Sequence, residues 1–324
     1  MSFNNGQIIN AAGSAISTST LTSGLLRPEQ ANKFIQQMFE STTLGNEVRH
    51  VMRRAKTGEI DKIGINSRII RKKTEDNDDG YRAKVNTGKI EYSTTAIRLP
   101  YELTEETLRE NIEGQSFEAI VTNLMTTQFG LDMLDLSLNG DSEIPATYTE
   151  GSGSSAVTKD TPDYDFLKIN DGWIKQLKNG SHIEDRSSKS SGAMSIDVYF
   201  DALKQMANKY NNGKLRWLMS PHRKQEWDRY LLNQIIEKGG AVPDSMYKSP
   251  ASIPVIECPS LSDDNIILTN PKNLIVVNTY DMILRKTTEG KDAVMKDKRF
   301  YAMHMDFDPV IEELDAAVLI TGLK

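Results

Sequence analysis

Between Gly88 and Leu103 apolar and polar residues alternate with a period near two, the pattern of a half-buried strand. Ile90 and Tyr92 share one parity, whereas Ile97, Leu99, Tyr101 and Leu103 share the other. Side chains on a strand point alternately to opposite faces, so this switch exchanges the buried face. The inner and outer parts of the ribbon are therefore expected to pack against different things, and a neighbouring subunit is the simplest cover for the outer part. Upstream, Ile63, Ile65, Ile69 and Ile70 lead into the basic run Arg71, Lys72 and Lys73, then into Glu75, Asp76, Asp78 and Asp79, with a break at Gly80. The whole stretch from about 57 to 100 predicts a hairpin with a charged tip.

A helical period follows. Phe117, Ile120, Val121, Leu124, Leu131, Leu134 and Leu138 make one apolar stripe, and Met125, Phe129, Met133 and Leu136 make a second. A helix apolar on more than one side needs cover on more than one side. Running from Ser116, a candidate cap, to Leu138, it would be about 35 Å long at 1.5 Å per residue. Gly130 inside it predicts a bend or a close approach. Another helix is expected to open at Arg27-Pro28-Glu29, with Ala31, Phe34, Ile35, Met38 and Phe39 on its apolar face and Gly45 at its end. Residues 1–26 are rich in Ser, Thr, Asn, Gly and Ala and carry no dense apolar pattern, as a tail does.

The Gly/Ser-rich stretch from Gly151 to Pro162 reads as a separator between structural units. It matches G-x-G-x-x-A in letters, but Pro162 arrives before a helix could grow, so the dinucleotide-binding context is missing. Beyond it, Ser195 is placed to cap a helix with Ile196, Tyr199, Phe200, Leu203 and Met206 at helical spacing. A strand is expected over Leu215–Met219, then a helix carrying Trp227, Tyr230, Leu231 and Ile235. Further strands are expected at Val255–Glu257, Ile266–Leu268, Leu274–Val277 and Met282–Arg285. This mixture predicts an α+β fold.

The order of these segments resembles the major capsid proteins of tailed bacteriophages, the Hong Kong 97-like family. Leu-Asn-Gly-Asp at 138–141, Arg-Trp-Leu-Met-Ser-Pro at 216–221, Ile-Pro-Val-Ile at 253–256 and the final run from Ala316 to Lys324 add to the likeness. The resemblance implies an N-terminal arm over 1–26, an arm-proximal helix and connection over 27–56, and an extended β-hairpin loop over 57–100. It further implies a peripheral domain with a long spine helix over 101–150, an inserted axial domain over 151–275, and peripheral return strands over 276–324. The implied function is self-assembly, as hexamers and pentamers, into an icosahedral head enclosing double-stranded DNA without sequence-specific binding. A separate scaffolding protein and a portal would be partners, and the protein would be made and assembled in the bacterial host cytoplasm before residing in the virion capsid. Alternatives are an encapsulin-like nanocompartment shell, a soluble enzyme with an unrecognised pocket, and a tail-tube protein.

Composition sets limits on these readings. The chain has 324 residues, enough for a substantial core, and a formal net charge of −6, so no global attraction to nucleic acid or an anionic membrane is expected. No run approaches the roughly 20 apolar residues of a membrane span. With Cys258 the only cysteine, no intrachain disulfide can form. The four histidines, His50, His182, His222 and His304, stand in unrelated contexts without ligand spacing, so no metal or other cofactor is expected. Asp306, Asp308, Glu312 and Glu313 could be imagined as paired carboxylates, but surface charge is the commoner explanation. No catalytic residue is expected.

Arg49, Arg53, Arg54, Lys56, Lys62, Arg68, Arg71, Lys72 and Lys73 form a basic window without stacking aromatics. Electrostatic pairing with an acidic face of another subunit and a merely solvated loop both account for it. The residues expected to touch a neighbouring subunit are Arg68, Arg71, Lys72, Lys73, Glu75, Asp76, Asp78 and Asp79.

Overall fold

The computed structural model describes residues 43–64, 68–70, 72, 80–83, 85–110, 117–150, 157–187, 189, 193–238, 249–279, 283–289 and 291–323. The expected arm, the helix from Arg27 as far as residue 42, and tip residues Arg71, Lys73, Glu75, Asp76, Asp78 and Asp79 lie outside them.

Helix α1 (Thr43–Glu47) leads into strand β1 (Arg49–Met52), and strands β2 (Thr57–Gly64) and β3 (Asn86–Ser93) form the expected hairpin. Strand β4 (Thr95–Thr104) and helix α2 (Glu105–Glu110) lead to the long helix α3 (Phe117–Asn139). Strands β5 (Thr147–Glu150) and β6 (Val157–Asp160) pair antiparallel across the Gly/Ser-rich stretch, so the glycine motif joins two strands and precedes no helix. There follow α4 (Tyr164–Leu167), α5 (Trp173–Lys178), β7 (Ile183–Asp185), α6 (Ile196–Gln205), β8 (Arg216–Met219) and α7 (Pro221–Lys238). The chain continues through β9 (Val255–Glu257), β10 (Ile266–Thr269), β11 (Leu274–Asn278), β12 (Ile283–Thr287), α8 (Lys291–Lys296), β13 (Lys298–Ile311) and β14 (Ala317–Thr321).

The first sheet runs β1, β11, β13, β12, with β4 also paired to β13. Strands β11 and β12 are two stretches of one limb, both antiparallel to β13. The pairing of β4 with β13 ends at Thr95 and Phe307. Pro309 can therefore sit in this central strand, because no ladder partner needs its missing N–H there. Its carbonyl oxygen instead accepts from Gln176 Nε2 at 2.5 Å.

Helix α3 lies along one face of this sheet. Phe117 and Val121 pack with Leu103 and Tyr301, Phe129 packs with Met303 and Met305, and Leu134, Leu136 and Leu138 share a core with Val276, Phe307 and Ile311. Residues 301, 303, 305 and 307 of β13 are thus the period-two track under a period-3.6 beam. Polar residues inside the helix are satisfied locally: Thr126 and Ser137 donate to the carbonyls four residues back, each at 2.8 Å. A Cβ at Gly130 would meet nothing within 4 Å, so no close approach explains that glycine. At the helix end the reverse holds, since a Cβ on Gly140 would stand 2.4 Å from the Asn170 carbonyl oxygen. Asp141 then pairs with Lys175 at 2.9 Å, which accounts for the Leu-Asn-Gly-Asp ending.

The second sheet runs β7, β14, β10, β8, β9. One face packs on α5 and the end of α3 through Leu218, Ile267 and Leu319, and the other packs on α6 and α7 through Trp217, Leu268 and Val318. Ser220 caps α7, with its Oγ accepting from Arg223 N–H at 3.2 Å and Pro221 at the first helical position. Ser195 also precedes its helix but makes no capping bond with its side chain.

Near the end of the chain, β14 pairs with β10 and β7 in the second sheet. Its residues are apolar on both faces, so the sequence pattern does not indicate which sheet takes it.

Candidate functional site

The hairpin root is built from both faces of one strand. While the odd residues of β13 face α3, the even ones face the hairpin: Val310 packs with Ile275, Val277, Ile60 and Tyr92. Ile60 and Tyr92 are only 5 % and 6 % exposed. Tyr92 reaches this position by crossing its ladder partner Gly58, where a Cβ would stand 2.7 Å from the tyrosine oxygen. Glycine is needed there to let the ring lie flat across the strand.

Polar contacts fix the same root. Ser93 N–H, at the joint between β3 and β4, donates to Asp308 Oδ2 at 2.7 Å. Thr94 N–H donates to the Lys56 carbonyl at 2.8 Å. Lys56 Nζ lies 3.1 Å from Asp306 Oδ2, which also accepts from Thr279 Oγ1 at 3.0 Å. Arg49 pairs with Glu312 at 3.0 Å, and Lys62 pairs with Glu313. Burial pushes the Asp308 carboxyl up to about 6, against the lowering effect of the Ser93 N–H, with the Asp171 charge adding to the rise.

Three cations of the basic window are therefore paired within their own chain, and the four carboxylates set aside as surface charge are their partners or hold the joint. A signal for this was present in the sequence. Asp306 and Asp308 recur every second residue through a run otherwise fit for burial, so one face of that strand had to meet donors. The structure also corrects the expectation for the outer parity. Ile90 and Tyr92 find their cover on the far face of the first sheet of the same chain, so the switch marks the passage from one face of that sheet to the other and not a boundary between subunits.

Farther out the cover ends. Ile63 is 74 % exposed and Ile70 is 92 % exposed, and Ile69 and Val85 are exposed as well. Arg68 and Lys72, the two expected contact residues that are described, are also exposed.

Among the described residues no comparable convergence suggests chemistry. Ser220, His222 and Asp263 meet, but the serine hydroxyl donates to the aspartate and the histidine lies 3.2 Å from the same carboxylate, so no base faces the serine. Cys258 is buried, which pushes its thiol up to about 12. His50 Nε2 lies 3.0 Å from the Gly45 carbonyl oxygen and His182 lies 3.5 Å from Asp315, far apart in the chain. Among the described residues no group of three His, Cys, Asp or Glu side chains gathers at metal-ligand geometry, and no helix is long and apolar enough to cross a membrane. An open depression of about 570 Å³ beside β7 and the chain end is lined by Lys178, Asp185, Asp264 and Thr321, without a nucleophile and base in contact.

No protein-family model matches the chain. It is 24 % identical over 336 residues to the Bacillus subtilis (strain 168) protein named "Putative prophage capsid protein YqbE", covering 99 % of each. Among solved structures it is similar to the satellite phage P4 procapsid that includes the size determination protein, with a TM-score of 0.63 and 16 % identity over 90 % of this chain and 99 % of that one. It is also similar to the Gordonia phage Cozz structure, with a TM-score of 0.53 and 14 % identity over 87 % and 86 % of the two chains. The chain has the Hong Kong 97-like capsid fold. The fold also covers the SrpI encapsulin of Synechococcus elongatus PCC 7942, to which the chain is similar with a TM-score of 0.54 and 9 % identity over 100 % and 97 %. In this fold α3 is the spine helix and the β2–β3 hairpin is the extended loop.

Proposed function

We propose that this chain is the major capsid protein of a tailed bacteriophage, whose copies assemble into a closed icosahedral shell around double-stranded DNA. The observation that carries the reading is the hairpin itself. Its root is fixed by core packing and by Asp306 and Asp308, and its outer half projects Ile63, Ile70 and Val85 with no cover among the described residues of the same chain. A ribbon held firmly and left bare is suited to lie on a neighbouring copy. Arg68, Arg71, Lys72 and Lys73, with Glu75, Asp76, Asp78 and Asp79, would make the contact there. Copies would group as hexamers and pentamers, with a separate scaffolding protein and a portal as partners, in the cytoplasm of a bacterial host. The first sheet with α3 would form the peripheral domain and the second sheet with α5, α6 and α7 the axial domain.

Similarity over 99 % of both chains to a protein with a prophage capsid name favours the virus over the cargo compartment. The encapsulin likeness keeps the second reading in play, at lower identity. Electron microscopy of the purified chain, expressed alone and with the genes that flank its own, tests the proposal. Closed shells with nuclease-protected DNA are expected. Closed shells filled with protein would favour the compartment, and tubes or a lasting monomer would reject both.

A further inference from the structure

Three asparagine-glycine pairs fall within the described residues, and the fold treats them differently. Such a pair carries its own reaction, because the glycine nitrogen stands one ring closure from the asparagine side-chain carbonyl carbon and no side chain shields it. At Asn139 and Gly140 the reaction is closed off. Gly140 N–H donates to the Leu136 carbonyl at 3.0 Å, and Asn139 Nδ2 donates to Asp135 Oδ1 and to the Ser260 carbonyl, each at 2.6 Å. At Asn179 and Gly180 the nitrogen is engaged as well, since Gly180 N–H donates to the Leu177 carbonyl at 2.9 Å at the end of α5.

Asn212 and Gly213 are open on each count. Asn212, Gly213 and Lys214 are all exposed, Gly213 has a φ of +79°, and a Cβ there would meet nothing within 4 Å. The Gly213 N–H makes no hydrogen bond among the described residues. Asn212 Oδ1 accepts from the Lys214 N–H at 3.1 Å. That donor sits on the oxygen that takes up negative charge when the side-chain carbon is attacked, where a fixed N–H lowers the barrier. We propose that Asn212 converts spontaneously to aspartate and isoaspartate in the folded chain. Hydroxide removes the Gly213 amide proton, the nitrogen bonds to Asn212 Cγ, and Nδ2 takes a proton from water and leaves as ammonia, which closes a succinimide ring. Water then opens the ring at either carbonyl, so the net change is uptake of a water and loss of an ammonia. The product is a carboxylate, and in the isoaspartate form the main chain is longer by a carbon. It arises in a cleft of about 220 Å³ lined by Lys62, Asn212, Asn273, Glu312 and Glu313, and it adds an acid beside the pairing of Lys62 with Glu313 on the hairpin.

The test ages the purified free subunit at about pH 8, natively and in urea. Each asparagine-glycine peptide is followed by mass spectrometry, with isoaspartate counted by enzymatic methylation. In the native chain Asn212 is expected to convert at least about tenfold faster than Asn139 or Asn179, whose glycine nitrogens must first give up a backbone hydrogen bond. In urea the three rates are expected to converge, because the fold and not the residue pair sets the difference. No substitution is needed, so misfolding of a variant does not enter the reading. Native conversion at Asn139 or Asn179 as fast as at Asn212, or an Asn212 left unchanged natively while the urea sample converts, would overturn the proposal. Neither outcome bears on the shell function, which the free subunit does not exercise.

Discussion

The root and the outer half of the β2–β3 hairpin belong to one ladder of eight paired positions, from Thr57 and Ser93 to Gly64 and Asn86. Backbone bonding is the same in both, so it cannot explain why Ile60 is buried and Ile63, three residues farther out, is bare. The difference lies in what each side chain meets. At the root, Ile275, Val277 and Val310 supply a surface and Asp306 and Asp308 supply acceptors, whereas the outer half overhangs the sheet. A two-stranded ribbon is marginal by itself, so the root depends on the first sheet for its stability. Beyond the Lys62–Glu313 pair, the outer half has no such support among the described residues, and its contribution to the fold is correspondingly small.

The comparison breaks most sharply under substitution of the buried ring. Tyr92→Ala should destabilise the subunit by about 3–5 kcal/mol, as removal of a buried aromatic does, and should reduce shell yield through loss of folded protein. Ile70→Ser should leave the denaturation midpoint of the subunit unchanged and lower shell yield alone. Equal effects of both on subunit stability, measured by urea denaturation, would mean that the outer half is covered within its own chain.

A smaller effect is expected from charge. Changing Arg68, Arg71, Lys72 and Lys73 together to Glu should leave circular dichroism and melting of the subunit as they were. Exposed pairs contribute only about 0–1 kcal/mol each, but repetition through a shell makes their loss consequential for assembly. The defect should vary with salt, because the charges are screened. Shells formed normally at every salt concentration would remove these residues from the contact. By contrast, Lys56→Glu should destabilise the free subunit, since its partner Asp306 is nearly buried.

The smallest effect concerns Asp308. Its native pKa of about 6 lies above the ordinary carboxyl value, so between about pH 4 and pH 6 the folded chain holds more proton than the unfolded one. The stability this group contributes is full below that window and is lost as the pH rises through 6. Asp308→Asn keeps an acceptor for Ser93 without a charge to desolvate. Its melting temperature should equal or exceed that of the unaltered chain at pH 7.5, and the difference should shift in favour of the unaltered chain as the pH falls to 4. A difference that does not change with pH would show that the carboxyl titrates normally.

Much of the architecture was legible because it depends on period. The two stripes between Phe117 and Leu138 indicate the spine, and the parity switch falls at Ser93 and Thr94, where the chain passes from β3 to β4. The identity of the surfaces was not legible. Ile275 and Val310 lie 215 and 250 residues along the chain from Ile60, and no local pattern says that they would roof the hairpin root. The same limit hid which donors meet Asp306 and Asp308, although their alternation on a strand says that one face had to meet some. It also concealed the place of β14, since Val318 and Leu319 are buried on opposite faces and suit either sheet.

Amide hydrogen exchange across the hairpin, in free subunits and in assembled shells, tests the central claim most directly. Protection at Gly58–Ile60 and Ile90–Tyr92 should be strong and alike in both forms, and protection from Ile63 through Val85 should be weak in the free subunit and should rise in shells. Strong protection of the outer half in free subunits, or none in shells, would contradict a hairpin rooted on the first sheet of its own chain and covered by a neighbour.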